Sequence, residues 1–269
     1  MSSRFRELEV VWRVIRVNFK ATMEYRADFL LAIVAGIIWQ ASVLVFATVL
    51  INRFPGLGGW SKGDVLLVAS IRLMSHGLYV AVFVALTGLP RIVQEGRIEG
   101  FLLRPMPVYR QILLNRLHLN ALGDLTVAVT LFAVAIPAIG IHWSPLRITY
   151  LVLAVIGGMF LEASLHTLVA CFALRSVPTN PWSQWIDEIF ATFGNYPLNI
   201  MPGTLRMFLT YIVPIAFVGY VPATVIAAHK DFPVPEWLAF SAPAVGLVTF
   251  FVAKRCFYRG LRSYSGTGG

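Results

Sequence analysis

Two pairs of ionisable residues stand inside otherwise apolar stretches, each at a spacing of four: Arg72 with His76, and Glu162 with His166. Four residues is close to one helical turn, so each pair shares a helix face. A guanidinium, a carboxylate and two imidazoles could together hold an ion pair, touch a polar solute or pass a proton. Charges at membrane depth are costly and face protein or water, so mutual pairing of Arg72 with Glu162 is the expected arrangement. That pair could clamp two spans together or contact a substrate, and both readings share one geometry. Asp124, Asp187 and Glu188 fall near the starts of apolar runs, where solvated or helix-N-terminal acids are the commoner case.

Soluble catalytic motifs are missing. There is no H-E-x-x-H, no Ser-His-Asp set and no paired-carboxylate motif, and an intramembrane enzyme built on Glu162 and His166 is a remote alternative. The phosphate-cradling pattern G-x-x-x-x-G-K-[ST] is also absent, since the nearest stretch, "GLGGWSKGD", lacks the ordered Gly-Lys-Ser/Thr. Cys171 and Cys256 are far apart and without metal-ligand spacing, so neither a disulfide framework nor a metal site is expected.

The elements that must position these residues follow from composition. Of 269 residues 58% are hydrophobic and 13% charged, and the mean hydropathy is +0.74. Too few polar residues exist to cover a water-soluble surface. Lipid is therefore the solvent, and long unbroken apolar runs select helices over a barrel. Runs long enough to cross, roughly 20 residues each, extend from about Phe29 to Ile51, Val65 to Leu89, Leu122 to Ile141, Ile148 to Leu174 and Trp237 to Ala253. The region from Pro181 to Ala228 has apolar content for two crossings but is broken by Pro197, Pro202, Pro214 and Pro222. One crossing from Trp182 to Met201, followed by a re-entrant hairpin over 197–228 on the outer side, is preferred to two.

The formal net charge of +9 sits beside apolar runs rather than on a soluble basic face, so it is read as a topology signal and not as a nucleic-acid surface. Sixteen of the 22 Lys and Arg fall in the N-terminal arm, the insert after the second run, the Arg175 loop and the C-terminal tail. The positive-inside rule then puts both termini and the insert in the cytoplasm, which makes the number of crossings even. The expected fold is an all-α membrane protein of six transmembrane helices forming one domain over 1–269. Residues 1–27 would form an amphipathic helix on the headgroups, with Arg4, Arg13 and Arg16 interleaved with Phe5, Trp12 and Ile15. No short apolar core with a cleavage site marks a removed signal peptide. Trp12, Trp60, Trp143, Trp182, Trp185 and Trp237 are expected in interfacial belts, as are His118 and His142, and Gly157-Gly158 reads as close helix packing.

The insert, Pro90 to about His118, is long for a turn. Ile92, Val93, Ile98, Leu102 and Leu103 alternate with Arg91, Glu95, Arg97 and Glu99 in "RIVQEGRIEGFLLRPMP", which gives a short amphipathic helix. Its mixed charge, with Gly96 and Gly100 permitting close backbone approach, suits a protein-facing surface better than a lipid anchor. A motor outside the membrane can move a span only through a rigid contact, and a wedged helix supplies one.

The basic arm, the six spans, "EGRIEGFLLRPMP" between spans two and three, and "NYPLNIMPGTLRMFLTYIVPIAFVGYVPA" before the last span together resemble the permease subunit of type-two ATP-binding-cassette transporters. The likeness is to the branch with an LLRP element after the second span, and it covers essentially the whole chain. It implies a coupling helix at Arg91, Glu95, Gly96, Arg97, Glu99, Leu102 and Leu103, ending at Arg104-Pro105, that docks on a cytoplasmic ATPase present in two copies. It implies a second permease, identical or homologous, and a re-entrant gate at Tyr196, Pro197, Pro202, Pro214 and Pro222. ATP and Mg would be bound by the ATPase, with no cofactor in this chain. Export from the cytoplasm across a prokaryotic inner membrane is the implied direction. An ion-gradient transporter, which should show repeated halves with matching broken helices, and a membrane scaffold are the rivals.

Overall fold

The computed structural model describes residues 12–13, 16–17, 20, 24, 26–53, 58–114, 121–175, 180–229 and 234–264. Among them the chain is almost wholly helical, with no strand. Most of the N-terminal surface helix, together with Arg116 and His118, lies outside the described residues. The arm's described members, Trp12, Arg13, Arg16, Val17, Lys20 and Glu24, are helical and exposed.

Helix α1 (Arg26–Arg53) has 28 residues, about 42 Å at the usual rise, against a hydrocarbon core of about 30 Å. Leu30, Leu31, Ile38 and Trp39 on it are exposed, an apolar surface suited to lipid or to another membrane helix. Helix α2 (Lys62–Phe83) begins at a capping box, in which Asp64 N donates to Ser61 Oγ at 3.2 Å and Ser61 N donates to Asp64 Oδ2 at 3.0 Å. A tight turn over Val84–Leu86 carries it into α3 (Leu89–Gln94), and then follow α4 (Ile98–Leu102) and α5 (Val108–Leu113). Helix α6 (Ala121–Ile139) stops at Gly140, whose φ of +64° supplies the left-handed C-terminal cap. Ser144 caps α7 (Pro145–Ala173), with Pro145 in the first turn, where its missing N–H costs nothing. Lys62–Gln94, Ala121–Ile139 and Pro145–Ala173 are long and apolar enough, by length and composition, to cross a membrane.

The run expected to cross from Trp182 to Met201 is helical only as α8 (Asn180–Phe193). Gly194 and Pro197 end it, and Asn195 Nδ2 donates back to Ala191 O at 2.9 Å. Beyond come α9 (Gly203–Met207), a wide turn over Phe208–Ile212, a break at Pro214, and α10 (Tyr220–Ala227). Helix α11 (Glu236–Phe240) leads into α12 (Ala242–Arg262).

Helix α7 is central, packed against α12 on one side and α2 on another; α2 packs on α6, and α6 on α1. The α7–α12 crossing is backbone on backbone: a Cβ on Gly246 would collide with Gly157 O, and one on Gly157 would lie 2.7 Å from Pro243 Cα. Small residues buy this proximity in membranes, where apolar burial alone gives helices no reason to associate. Gly158 likewise admits Ser75 of α2. Close packing at Gly157-Gly158 is thus as expected from the sequence.

Two apolar cores lie end to end. One gathers Trp60, Leu67, Phe190, Leu198 and Val221; the other gathers Tyr79, Leu86, Ile98, Ile112 and Phe257. Trp60, expected in an interfacial belt, is packed inside the protein. It is 5% exposed, lies 5.3 Å from the Tyr220 ring and stacks on His229 at 4.2 Å between centroids. The neighbouring His229 Nε2 is 3.5 Å from Asp64 Oδ1, and Asn199 Nδ2 donates to Gly58 O at 2.7 Å. The loop before α2 and the Pro-rich segment are therefore stitched together at one end of the bundle. Trp12, Trp185 and Trp237 are exposed.

Candidate functional site

The polar cluster sits where the two cores meet. On α2, Arg72 and His76 fall between Ile71 of the first core and Tyr79 of the second; on α7, Glu162 and His166 follow Leu161. Glu162 and His166 are fully buried and Arg72 is 3% exposed. The carboxylate accepts from His76 rather than from Arg72: His76 Nδ1 is 2.7 Å from Glu162 Oε1. This corrects the expected Arg72–Glu162 pairing, and no ion pair joins those two among the described residues. Arg72 and His76 share the α2 face, one turn apart, and the helix rotation brings the imidazole opposite the acid. Arg72 instead threads its stem past two glycines. Cβ atoms on Gly194 and Gly219 would lie 3.3 and 3.1 Å from its Cγ and Cβ, and its Nε makes no hydrogen bond among the described residues.

Acids expected at a solvated interface belong to this site. Asp187 on α8 brings Oδ1 to 3.1 Å from His166 Nε2, within ion-pair distance, although neither His166 nitrogen is aligned for a hydrogen bond. Asp124 on α6 is 5% exposed. The Tyr79 ring lies between the imidazoles, 5.1 Å from His166 and 6.1 Å from His76, stacked with each. A cavity of about 600 Å³ opens between α1, α2, α6 and α8, lined by Arg72, His76, Asp124, Asp187 and Glu188 among others. Glu162, His166 and Asp187 hold their ligating atoms within 4.8 Å of one another, a set that no spacing in the sequence announces. The only sequence signal for Asp187 was an acid pair inside an apolar, Trp-flanked run.

The insert forms a second site, built differently. Ile92, Val93, Ile98, Val108 and Ile112 are buried in the second core, while Arg91, Glu95, Arg97, Glu99, Arg104 and Pro105 are exposed. The single amphipathic helix expected from Arg91 to Leu103 is instead two short helices. Gly96, at φ +68°, makes the left-handed break that a non-glycine residue would resist. Glu95 braces it: its Oε1 takes Arg91 Nε and its Oε2 takes Arg97 Nε, each at 2.6 Å. The hydrogen bond from Arg91 does most to hold the Glu95 carboxyl below its usual range. Gln111 Nε2 donates to Phe101 O at 2.8 Å and Met106 O at 2.6 Å, tying the Arg104-Pro105 turn to α5.

The insert is fastened to the bundle through Tyr109. Its hydroxyl is 2.9 Å from Thr167 Oγ1 on α7, its ring meets Phe250 and Phe257 of α12 edge-on at 6.1 and 5.6 Å, and Lys254 Nζ stands 5.4 Å from the ring centre. Left uncovered at the tip are Leu102, 45% exposed, and Leu103, 88% exposed. In the Pro-rich segment, Tyr196, Pro197 and Pro222 are buried, Pro214 is half-buried and Pro202 is exposed.

Apolar flanks suited to lipid, a charged cavity between long helices and a charged insert pinned to two of them define a multi-pass membrane protein with a polar interior. A family model described as ABC-2 family transporter protein matches residues 37–268. The chain belongs to this family and is a type-2 ABC transporter permease, a membrane subunit. Membership implies a separate cytoplasmic ABC ATPase as partner. No curated protein matches the chain.

Proposed function

We propose that the chain is a six-span permease that exports its substrate when a cytoplasmic ATPase pulls and pushes on the insert Arg91–Pro105. The observation that carries this reading is the insert's construction. Leu103 is 88% exposed on an insert that also exposes Arg91, Glu95, Arg97, Glu99 and Arg104, while Ile98, five residues earlier, is fully buried. An apolar tip ringed by charge is the usual make-up of a docking surface, and the buried side passes force to α2, α7 and α12. Two such permeases, identical or homologous, with two ATPases would enclose the path, and both termini would lie in the cytoplasm of a prokaryotic cell. ATP and Mg²⁺ belong to the ATPase. The Pro-rich segment 197–228, stitched to the loop before α2, serves as the outer gate, and Arg72 and His76 line the inner cavity with Glu162 and His166 buried behind them.

Purification of the affinity-tagged chain from native membranes tests the assignment. An ATPase should co-purify in equal number with the permease, and proteolysis of sealed vesicles should cut the insert only from the cytoplasmic face. A protein that moves its substrate with no nucleotide-hydrolysing partner, or an insert cut from the outside, refutes it.

A further inference from the structure

We propose that Glu162, His166 and Asp187 form a three-ligand site for a divalent first-row transition ion of the zinc type, with an open coordination position toward the cavity. The inference stands apart from the transport reading, since its three ligands come from α7 and α8 and need no partner protein.

Two ligands come from one turn of α7 and the third from α8, an arrangement by which a single ion would join the central helix to the short one that ends at Gly194. Ligand atoms 2.0–2.2 Å from a tetrahedral ion are about 3.3–3.6 Å apart. His166 Nε2 and Asp187 Oδ1 are 3.1 Å apart, and all three ligand atoms lie within 4.8 Å, so small side-chain rotations close the set.

A second observation points to a ligand. Glu162 Oε2 and both nitrogens of His166 are buried without a hydrogen-bond partner among the described residues. Orphaned polar atoms at such depth are costly, and one cation would satisfy the acid and the imidazole together. His76, by holding Glu162 Oε1 at 2.7 Å, fixes the carboxylate and leaves Oε2 for the ion, the part an outer-shell partner plays in metal sites.

Charge agrees. Asp187 and Glu188 line the cavity with Glu162 behind them, against one guanidinium, that of Arg72, among the described lining residues. A dication offsets the excess acid. The imidazole selects the class of ion, because calcium and magnesium favour all-oxygen shells whereas two carboxylates and one histidine suit zinc, manganese or iron(II). Three protein ligands leave a position that solvent or a donor group on cargo can reach through the cavity.

The test uses the full chain in lipid nanodiscs, carrying a tag without histidine and stripped with chelator. Cobalt(II) is titrated as the spectroscopic probe and then displaced with zinc. One cobalt per chain should bind, with visible bands of a nitrogen–oxygen shell that vanish as zinc enters. Asp187→Asn, at a half-exposed position that should tolerate it, and His166→Gln should each weaken binding more than 100-fold. His76→Gln should weaken it by about 10–100-fold with the band positions unchanged, because the ligands themselves are retained; a purely structural histidine would leave affinity alone. X-ray absorption of the zinc-loaded wild type gives a readout independent of any variant, and one nitrogen and two or more oxygens at 2.0–2.2 Å are expected. No uptake by the wild type, uptake that Asp187→Asn leaves unchanged, or a zinc shell without histidine overturns the proposal.

Discussion

Substituting Leu103 by Ala separates docking from folding. The residue is 88% exposed, so truncation removes nothing from the permease core, and surface changes of this kind stay within about 0.5 kcal/mol of fold stability. If the ATPase covers Leu103, the lost carbons cost about 2 kcal/mol of docking free energy at about 0.8 kcal/mol each, or about 30-fold in affinity. The companion variant Ile98→Ala truncates a fully buried side chain in the same short helix. It should cost about 2–5 kcal/mol of fold stability and show itself as a lower melting temperature before any loss of docking. The assay is titration of purified ATPase onto nanodisc-held permease by interferometry, with thermal melts of each variant in parallel. A Leu103→Ala permease that docks as tightly as wild type, or one that loses docking only together with its melting transition, refutes the claim that the tip is the contact.

Three further outcomes follow. Gly246→Leu should drive α12 off α7, because its Cβ meets Gly157 O; size-exclusion chromatography should find aggregate where Leu247→Ala, at an exposed position, gives a single peak. Tyr109→Phe removes the hydrogen bond to Thr167 and should cost about 0.5–1.5 kcal/mol, read as a lower melting temperature, with transport falling relative to ATP hydrolysis. The Glu95 carboxyl lies below its usual range through its bond to Arg91, so the brace around Gly96 is complete above the ordinary glutamate value of about 4.3 and is lost as pH falls beneath it. ATPase docking should therefore be flat from neutral pH down to about 5, and Glu95→Gln should reproduce the acid state at neutral pH.

Hydropathy made the long helices α1, α2, α6 and α7 legible, since each is a run that lipid or a neighbouring helix must cover, whereas the last run, expected from Trp237 to Ala253, breaks at Ser241 and carries α12 on through the basic tail to Arg262. The buried and exposed sides of the insert were legible for the same reason: Ile92, Val93 and Ile98 alternate with charges at helical spacing. What the sequence hid was relative rotation and distance along the chain. Nothing local says whether Arg72 or His76 faces Glu162, because they lie one turn apart on one side of α2. Asp187 reaches His166 from another helix, where spacing rules carry no information. Trp60 has the composition of an interfacial anchor, and only the approach of Tyr220 and His229 turns it into a core residue. The break at Gly96 was written in the residue itself, but two turns flanking a glycine and one continuous amphipathic helix share the same apolar pattern.

The seam between α7 and α12 has a kinematic consequence. Where two backbones touch through Gly157 and Gly246 there are no side chains to reshuffle, so the pair can swivel about the contact point yet cannot slide past it. Tyr109 ties the insert to both members of that pair, which makes the three a single stiff chassis. A stroke delivered at the insert, under the coupling proposed above, would then find its outlet in α1, which packs on the bundle chiefly through α6 and lines one side of the charged cavity.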